Sequence, residues 1–171
     1  MKIHRVVLSG LLAICATTSS AGATGVPKAG EPPPAHLGTT LDGKPILATD
    51  FPGKAIVVSY WATWCSFCIK ELALLSAVQT NASDRVQVVT VNIEPAYVFK
   101  KVSKGLSRFQ MLLLYDPDKK GRDAYGVKGV PHMIIIGKNG LIDSVRIGYG
   151  EDDLGDVVDS INRAIGAVPS K

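Results

Sequence analysis

Hydrophobic residues fall along this chain in short runs separated by turn residues, and the spacing inside each run predicts its structure. Residues 55–60 form a mainly apolar, largely β-branched stretch, which suits a buried strand. Residues 86–92 repeat that pattern, and residues 111–115 and 133–136 are shorter versions of it. Between the first two runs, Leu72, Leu75 and Val78 recur at helical spacing, which predicts a helix ending near Thr80-Asn81. Pro95 opens a second predicted helix, with Tyr97, Val98, Val102 and Leu106 as its apolar positions and a stop at Gly105 or just after. Residues 119–125 read as a short helix closed by Gly126. Lys138-Asn139-Gly140 is a hairpin turn, and residues 141–147 run back as a strand. Leu154, Val157, Val158, Ile161 and Ile165 predict a last helix behind the acidic start Glu151-Asp152-Asp153. Ahead of all these, residues 41–46 look like a turn between two short strands with Asp42-Gly43 at its tip. The sum is an α/β order, β-α-β-α-β-α-β-β-α: a mixed sheet flanked by helices on both faces.

The chemistry gathers where the first long strand gives way to the first helix, at Tyr60-Trp61-Ala62-Thr63-Trp64-Cys65-Ser66-Phe67-Cys68-Ile69-Lys70-Glu71. A thiol at a helix N-terminus meets unpaired backbone N–H groups and the positive end of the helix dipole, both of which favour an anion. The thiolate is the reactive form of cysteine, so Cys65 reads as the attacking sulfur and Cys68, one turn on, as the resolving one. A zinc site wants about four protein ligands. The other candidates are Cys15, His4, His36 and His132, with no second paired motif, so no metal is expected. Covalent haem attachment needs histidine directly after the second cysteine, where Ile69 stands. No cofactor is expected beyond the Cys65–Cys68 disulfide. Trp64 reads as a wall of the substrate surface and Trp61 as core.

Composition places this chemistry in a compartment. The chain has 171 residues, enough for one domain with its own core. Lys2, His4 and Arg5 precede an apolar run over residues 6–16, and Ala21-Gly22-Ala23 follows as a cleavage site. Residues 1–23 are therefore expected to be a signal peptide, discarded with Cys15, rather than an uncleaved membrane anchor. The apolar run falls short of the ~20 residues that span a bilayer. Loss of Lys2 and Arg5 would leave 17 basic and 15 acidic residues, a net charge of +2, which gives no ground for a nucleic-acid partner. Residues 24–35, with Pro27 and Pro32-Pro33-Pro34, form a proline-rich lead-in, and residues 36–168 the folded domain. An exported chain whose two remaining cysteines share one motif carries them for chemistry, not as staples.

A second constellation, Gly129-Val130-Pro131-His132, lies 63 residues past Cys68 at the entry to a strand. Taken with Trp61-Ala62-Thr63-Trp64-Cys65 and Cys68, it resembles the thioredoxin superfamily. Closer still is the exported TlpA/ResA-like branch of thiol-disulfide oxidoreductases. Leu41-Asp42-Gly43-Lys44-Pro45, Tyr115-Asp116-Pro117-Asp118 and Ala124-Tyr125-Gly126-Val127 sit where that branch has similar runs. The resemblance implies a thioredoxin-like sheet with an N-terminal β extension and an extra helix-strand insertion between Glu94 and Tyr115. It also implies a cis Pro131 packed on the disulfide, which leaves the Val130 backbone free to pair with an extended substrate segment. Its implied partners are exported proteins bearing disulfides or thiols, and a membrane-bound electron donor; the implied location is the bacterial periplasm. Cytochrome c maturation, copper-site assembly and general disulfide rescue all use this scaffold. Dithiol oxidation or isomerisation, and copper or apocytochrome carriage on the same cysteines, stand as alternatives.

The sequence departs from the family in two places. Ser59 stands where thioredoxins commonly bury an aspartate, and Glu71 matches a glutamate of ResA-like proteins that could exchange a proton with Cys68. Ser66-Phe67 replaces the usual dipeptide between the cysteines, a position that tunes redox potential. His132, where threonine is frequent, is expected to face solvent, with a charge near the sulfurs at low pH as the alternative.

Overall fold

A computed structural model describes residues 26–148, 150 and 154–166. The expected signal peptide, Cys15 and the acidic run at 151–153 lie outside these residues. The elements follow in the order β1 (His36–Thr39), β2 (Pro45–Leu47), a 3-10 turn (Ala48–Asp50), β3 (Ala55–Trp61), α1 (Ser66–Ala82), β4 (Val86–Asn92), α2 (Ala96–Leu106), β5 (Leu112–Tyr115), α3 (Lys120–Ala124), β6 (His132–Ile136), β7 (Ile142–Ile147) and α4 (Leu154–Ala164). The strands join in one sheet ordered β2-β1-β5-β4-β3-β6-β7. β3, β4 and β5 run parallel, while β6, β7 and the β1–β2 ribbon are antiparallel to their neighbours.

β3 lies between β4 and β6 and is buried at all seven positions, which is why its sequence shows no polar alternation. Its side chains still alternate between two cores. Ala55, Val57 and Trp61 point with Met133 and Ile135 into the face covered by α1 and α4, against which Val102 and Leu106 of α2 also pack. Ile56, Val58 and Tyr60 point with Ile134 and Ile136 into the other, covered by Tyr125 at the end of α3, the β1–β2 ribbon and Phe51. Helices thus lie on both faces, as the order of elements implied.

α2 corrects the predicted apolar face. Tyr97 is 76% exposed, and the residue fully buried is Phe99, stacked on Tyr115 with ring centroids 5.3 Å apart. Positions 99, 102 and 106 form the inward stripe at spacings of three and four, and Tyr97 lies off it.

Asp116, behind β5, accepts hydrogen bonds from the Gly121 and Arg122 N–H groups (3.1 and 2.8 Å), which satisfies the start of α3. A Cβ on Gly121 would meet the Tyr60 hydroxyl at 2.6 Å, so α3 comes this close to β3 only through glycine. The lead-in lies against the domain: the Gly30 N–H donates to the Ile142 carbonyl, the Ile142 N–H to that of Glu31, and the Tyr125 hydroxyl to that of Pro34. Among the described residues, no helix is long and apolar enough to cross a membrane.

Candidate active site

β3 ends at Trp61, the chain turns through Ala62-Thr63-Trp64, and Cys65 caps α1. The Cys65 backbone is extended (φ −94°, ψ 100°), and its Sγ accepts the Cys68 N–H at 3.1 Å. A side chain in that place satisfies an N–H with no partner inside the helix, and negative charge on the sulfur strengthens the bond. Cys65 and Cys68 are joined as a disulfide, with Cα atoms 5.2 Å apart. The two sulfurs differ in access. Cys65 keeps 7% of its surface exposed and Cys68 1%.

The Val130 carbonyl oxygen lies 3.7 Å from the Cys65 Sγ, and the Val130–Pro131 peptide is cis. Strand pairing explains how residues so far apart in sequence meet. β3 and β6 are antiparallel neighbours with Tyr60 opposite His132, so the end of one strand and the start of the other share an edge of the sheet. Trp64, 69% exposed, stands beside this edge and lines a small groove with Val130. Trp61 is buried at 1% exposure, the core position expected of it. Ser66 and Phe67 are both exposed, and the Lys70 Nζ sits 5.9 Å from the centre of the Phe67 ring.

Glu71 is buried at 1% exposure, on the α1 turn after Cys68. The Ser59 hydroxyl donates to its Oε1 at 2.5 Å. The serine on the central strand and the glutamate on the helix are thus one buried pair. Burial pushes the Glu71 carboxyl up to about 7, against the smaller opposing effects of the Ser59 hydrogen bond and the Arg146 charge.

His132 requires a correction, because it does not face solvent. It is fully buried, its ring edge-on to Tyr60 with centroids 6.5 Å apart. Neither ring nitrogen has a hydrogen-bond partner, and burial lowers its pKa. Opposite Tyr60 in register, it shares the Tyr60 face of the sheet, away from the core that holds both cysteines. A charged form near the sulfurs is disfavoured by both placement and burial.

One residue of the site went unread in the sequence. The Glu94 carboxylate accepts from the Thr63 N–H (2.6 Å), the Thr63 hydroxyl (2.8 Å) and the Asn92 side-chain amide (3.1 Å). It thereby holds the turn that delivers Trp64 and Cys65. Its place just beyond a parallel strand's carboxyl end is a general hint, since such ends collect functional groups. Its partner Thr63, on the turn that follows the neighbouring strand β3, is set only by the pairing of the two strands. Hydrogen bonds to charged groups contribute about 1.5–3 kcal/mol. Glu94→Ala is therefore expected to cost about 2 kcal/mol in urea unfolding and to slow disulfide exchange, with Glu94→Gln intermediate; an unchanged urea midpoint in Glu94→Ala would refute the clamp.

The AhpC/TSA family model matches residues 29–145. The chain is 30% identical over 115 residues to the thioredoxin-like protein YneN of Bacillus subtilis (strain 168), covering 64% of this chain and 65% of YneN, just under two thirds of its length. It is 28% identical over 123 residues to the thiol-disulfide oxidoreductase ResA of Geobacillus thermodenitrificans (strain NG80-2), covering 70% of this chain and 69% of ResA. The solved structure of a thiol:disulfide interchange protein, a thioredoxin family protein from Chlorobium tepidum TLS, superposes with a TM-score of 0.67 at 25% identity, covering 80% of this chain and 97% of that one.

Proposed function

Because this chain belongs to the AhpC/TSA family and has a thioredoxin-like fold, we propose that it is an exported thiol-disulfide oxidoreductase that reduces disulfides of exported proteins. The observation that carries this reading is the Cys65 sulfur, placed at the N-terminus of α1 to accept the Cys68 N–H and edged by the Val130 carbonyl. The names of ResA and of the Chlorobium tepidum protein support the reaction class.

In the reduced protein the Cys65 thiolate attacks one sulfur of a substrate disulfide, and the other substrate sulfur leaves as a thiolate. Cys68, deprotonated, then attacks the Cys65 sulfur, forms the intramolecular disulfide and expels the second substrate thiolate. Two electrons pass to the substrate, whose thiolates take up protons. The unequal access of the sulfurs suits these roles, since a substrate reaches Cys65 first. Val130 would pair through its backbone with an extended substrate segment, and Trp64 would wall that segment in. Residues 1–23 act as an export signal to the bacterial periplasm, and a membrane-bound dithiol donor returns the electrons.

Oxidation of substrate dithiols uses the same steps in reverse, and the reduction potential separates the two directions. Equilibration against glutathione, followed by tryptophan fluorescence, is expected to give a value nearer about −270 mV, typical of a reductant, than about −120 mV, typical of a strong oxidant. A value at the oxidising end would reverse the proposed direction.

A further inference from the structure

The surface around Cys65 has an apolar centre. Trp64, Phe67 and Ile69 are 69%, 51% and 48% exposed, large side chains that a stable fold normally covers or uses. Two grooves adjoin this centre. One, of about 170 Å³, lies between Trp64 and the loop carrying Val130, with Arg122 and Lys128 in its lining. The other, of about 490 Å³, runs from Trp61, Thr63 and Ile69 to the end of α2, with Lys101 and Arg108 in its lining. Neither lining contains an aspartate or glutamate. Of the carboxylates that flank lining residues in sequence, Glu94 is taken up by Thr63 and Asn92, Glu71 is buried with Ser59, and Asp123 follows Arg122 outside the lining. Among the described residues, none of the four cations has an ion-pair partner.

This concentration of charge is local. Without residues 1–23 the chain carries a net charge of only +2, so the four cations of these two grooves do not simply follow from a strongly basic chain. Basic side chains along a docking groove raise the encounter rate of an acidic partner and oppose a basic one, while apolar side chains at the centre provide contact area.

We propose that the preferred substrate is an extended segment whose cysteine is flanked on both sides by acidic residues and bordered by an apolar side chain. The acidic residues lie in the two grooves, one toward Arg122 and Lys128, the other toward Lys101 and Arg108. The apolar side chain rests on Trp64 and Phe67. This inference rests on the oxidoreductase reading, of which it specifies the substrate class.

The test uses prereduced protein and two disulfide-linked peptides, identical except for Glu or Lys on either side of the cysteine, with neutral 2-hydroxyethyl disulfide as a third substrate. At low ionic strength the Glu-flanked peptide is expected to react about tenfold faster or more than the Lys-flanked one. That ratio should fall toward one at high salt, as screening shortens the reach of the charges. Lys101→Glu with Arg108→Glu, and Arg122→Glu with Lys128→Glu, should each lower the ratio by a similar factor. Because the ratio is taken within one protein, a partly unfolded variant does not distort it. Equal rates for the two peptides, or a faster Lys-flanked peptide, would overturn the proposal while turnover of the neutral disulfide leaves the oxidoreductase reading standing. Failure to reduce the neutral disulfide would remove both.

Discussion

Cys65→Ser is expected to lower insulin-disulfide reduction by more than about a thousandfold, the scale seen when an enzyme loses its nucleophile. Serine keeps the size and the cap but not the acidity, and an alcohol at neutral pH attacks no disulfide. Cys68→Ser should behave differently. The Cys65 thiolate still captures substrate, but nothing displaces it, so a mixed disulfide accumulates that non-reducing gels and mass spectrometry detect. Loss of fold does not explain either result. The cysteines are only 3 apart in sequence, and so short a loop contributes about 2 kcal/mol by the chain-entropy estimate, less than a typical domain's whole stability. Full activity in Cys65→Ser, or free release of product by Cys68→Ser, would exclude the scheme.

The second large effect is expected at Glu71 and concerns pH. With its carboxyl at about 7, Glu71 is neutral below that value and charged above it, so it can take the proton from Cys68 only on the alkaline side. Resolution of the mixed disulfide should accelerate as pH rises through about 7. Glu71→Gln should slow that step at neutral pH by about a hundredfold and move its midpoint toward the ordinary thiol value near ~8.5. Ser59→Ala removes the hydrogen bond that favours the carboxylate, so its midpoint should also move to higher pH while the step survives. Stability gives an independent readout of opposite sign from the usual acidic residue. The folded value lies above the ordinary 4.5, so the neutral form contributes stability in full below 4.5, and that contribution is lost as pH rises through about 7. The loss is on the order of 3 kcal/mol, and Glu71→Gln should abolish it. An unchanged pH profile for both resolution and unfolding in Glu71→Gln would remove Glu71 from the mechanism.

How far the sequence could be read varied from element to element. The β3 run was legible because a strand buried on both faces is mostly apolar, and the cysteine motif because it stands where the strand pattern gives way to a helical one. The last helix showed itself through Val157, Ile161 and Ile165, although Val158, read with them, is 39% exposed, and the face of α2 was read less well. Val102 and Leu106 were correctly picked, but Val98 lies off the inward stripe, Tyr97 faces solvent, and Phe99, overlooked, is buried against Tyr115. Tyrosine is amphipathic, and periodicity alone does not say which aromatic points inward.

Sequence by itself determined the order of elements, the cysteine pair and the helix start beside it, because each depends on neighbours within one turn or one strand. Tertiary structure alone decided that Ser59 meets Glu71, that Glu94 clamps Thr63, that Val130 edges the Cys65 sulfur and that His132 is buried against Tyr60. Each of these contacts crosses from one element to another. Strand register and side-chain alternation set them, and a shift of one residue in β6 would turn His132 to the opposite face and carry the Val130 carbonyl away from the Cys65 sulfur.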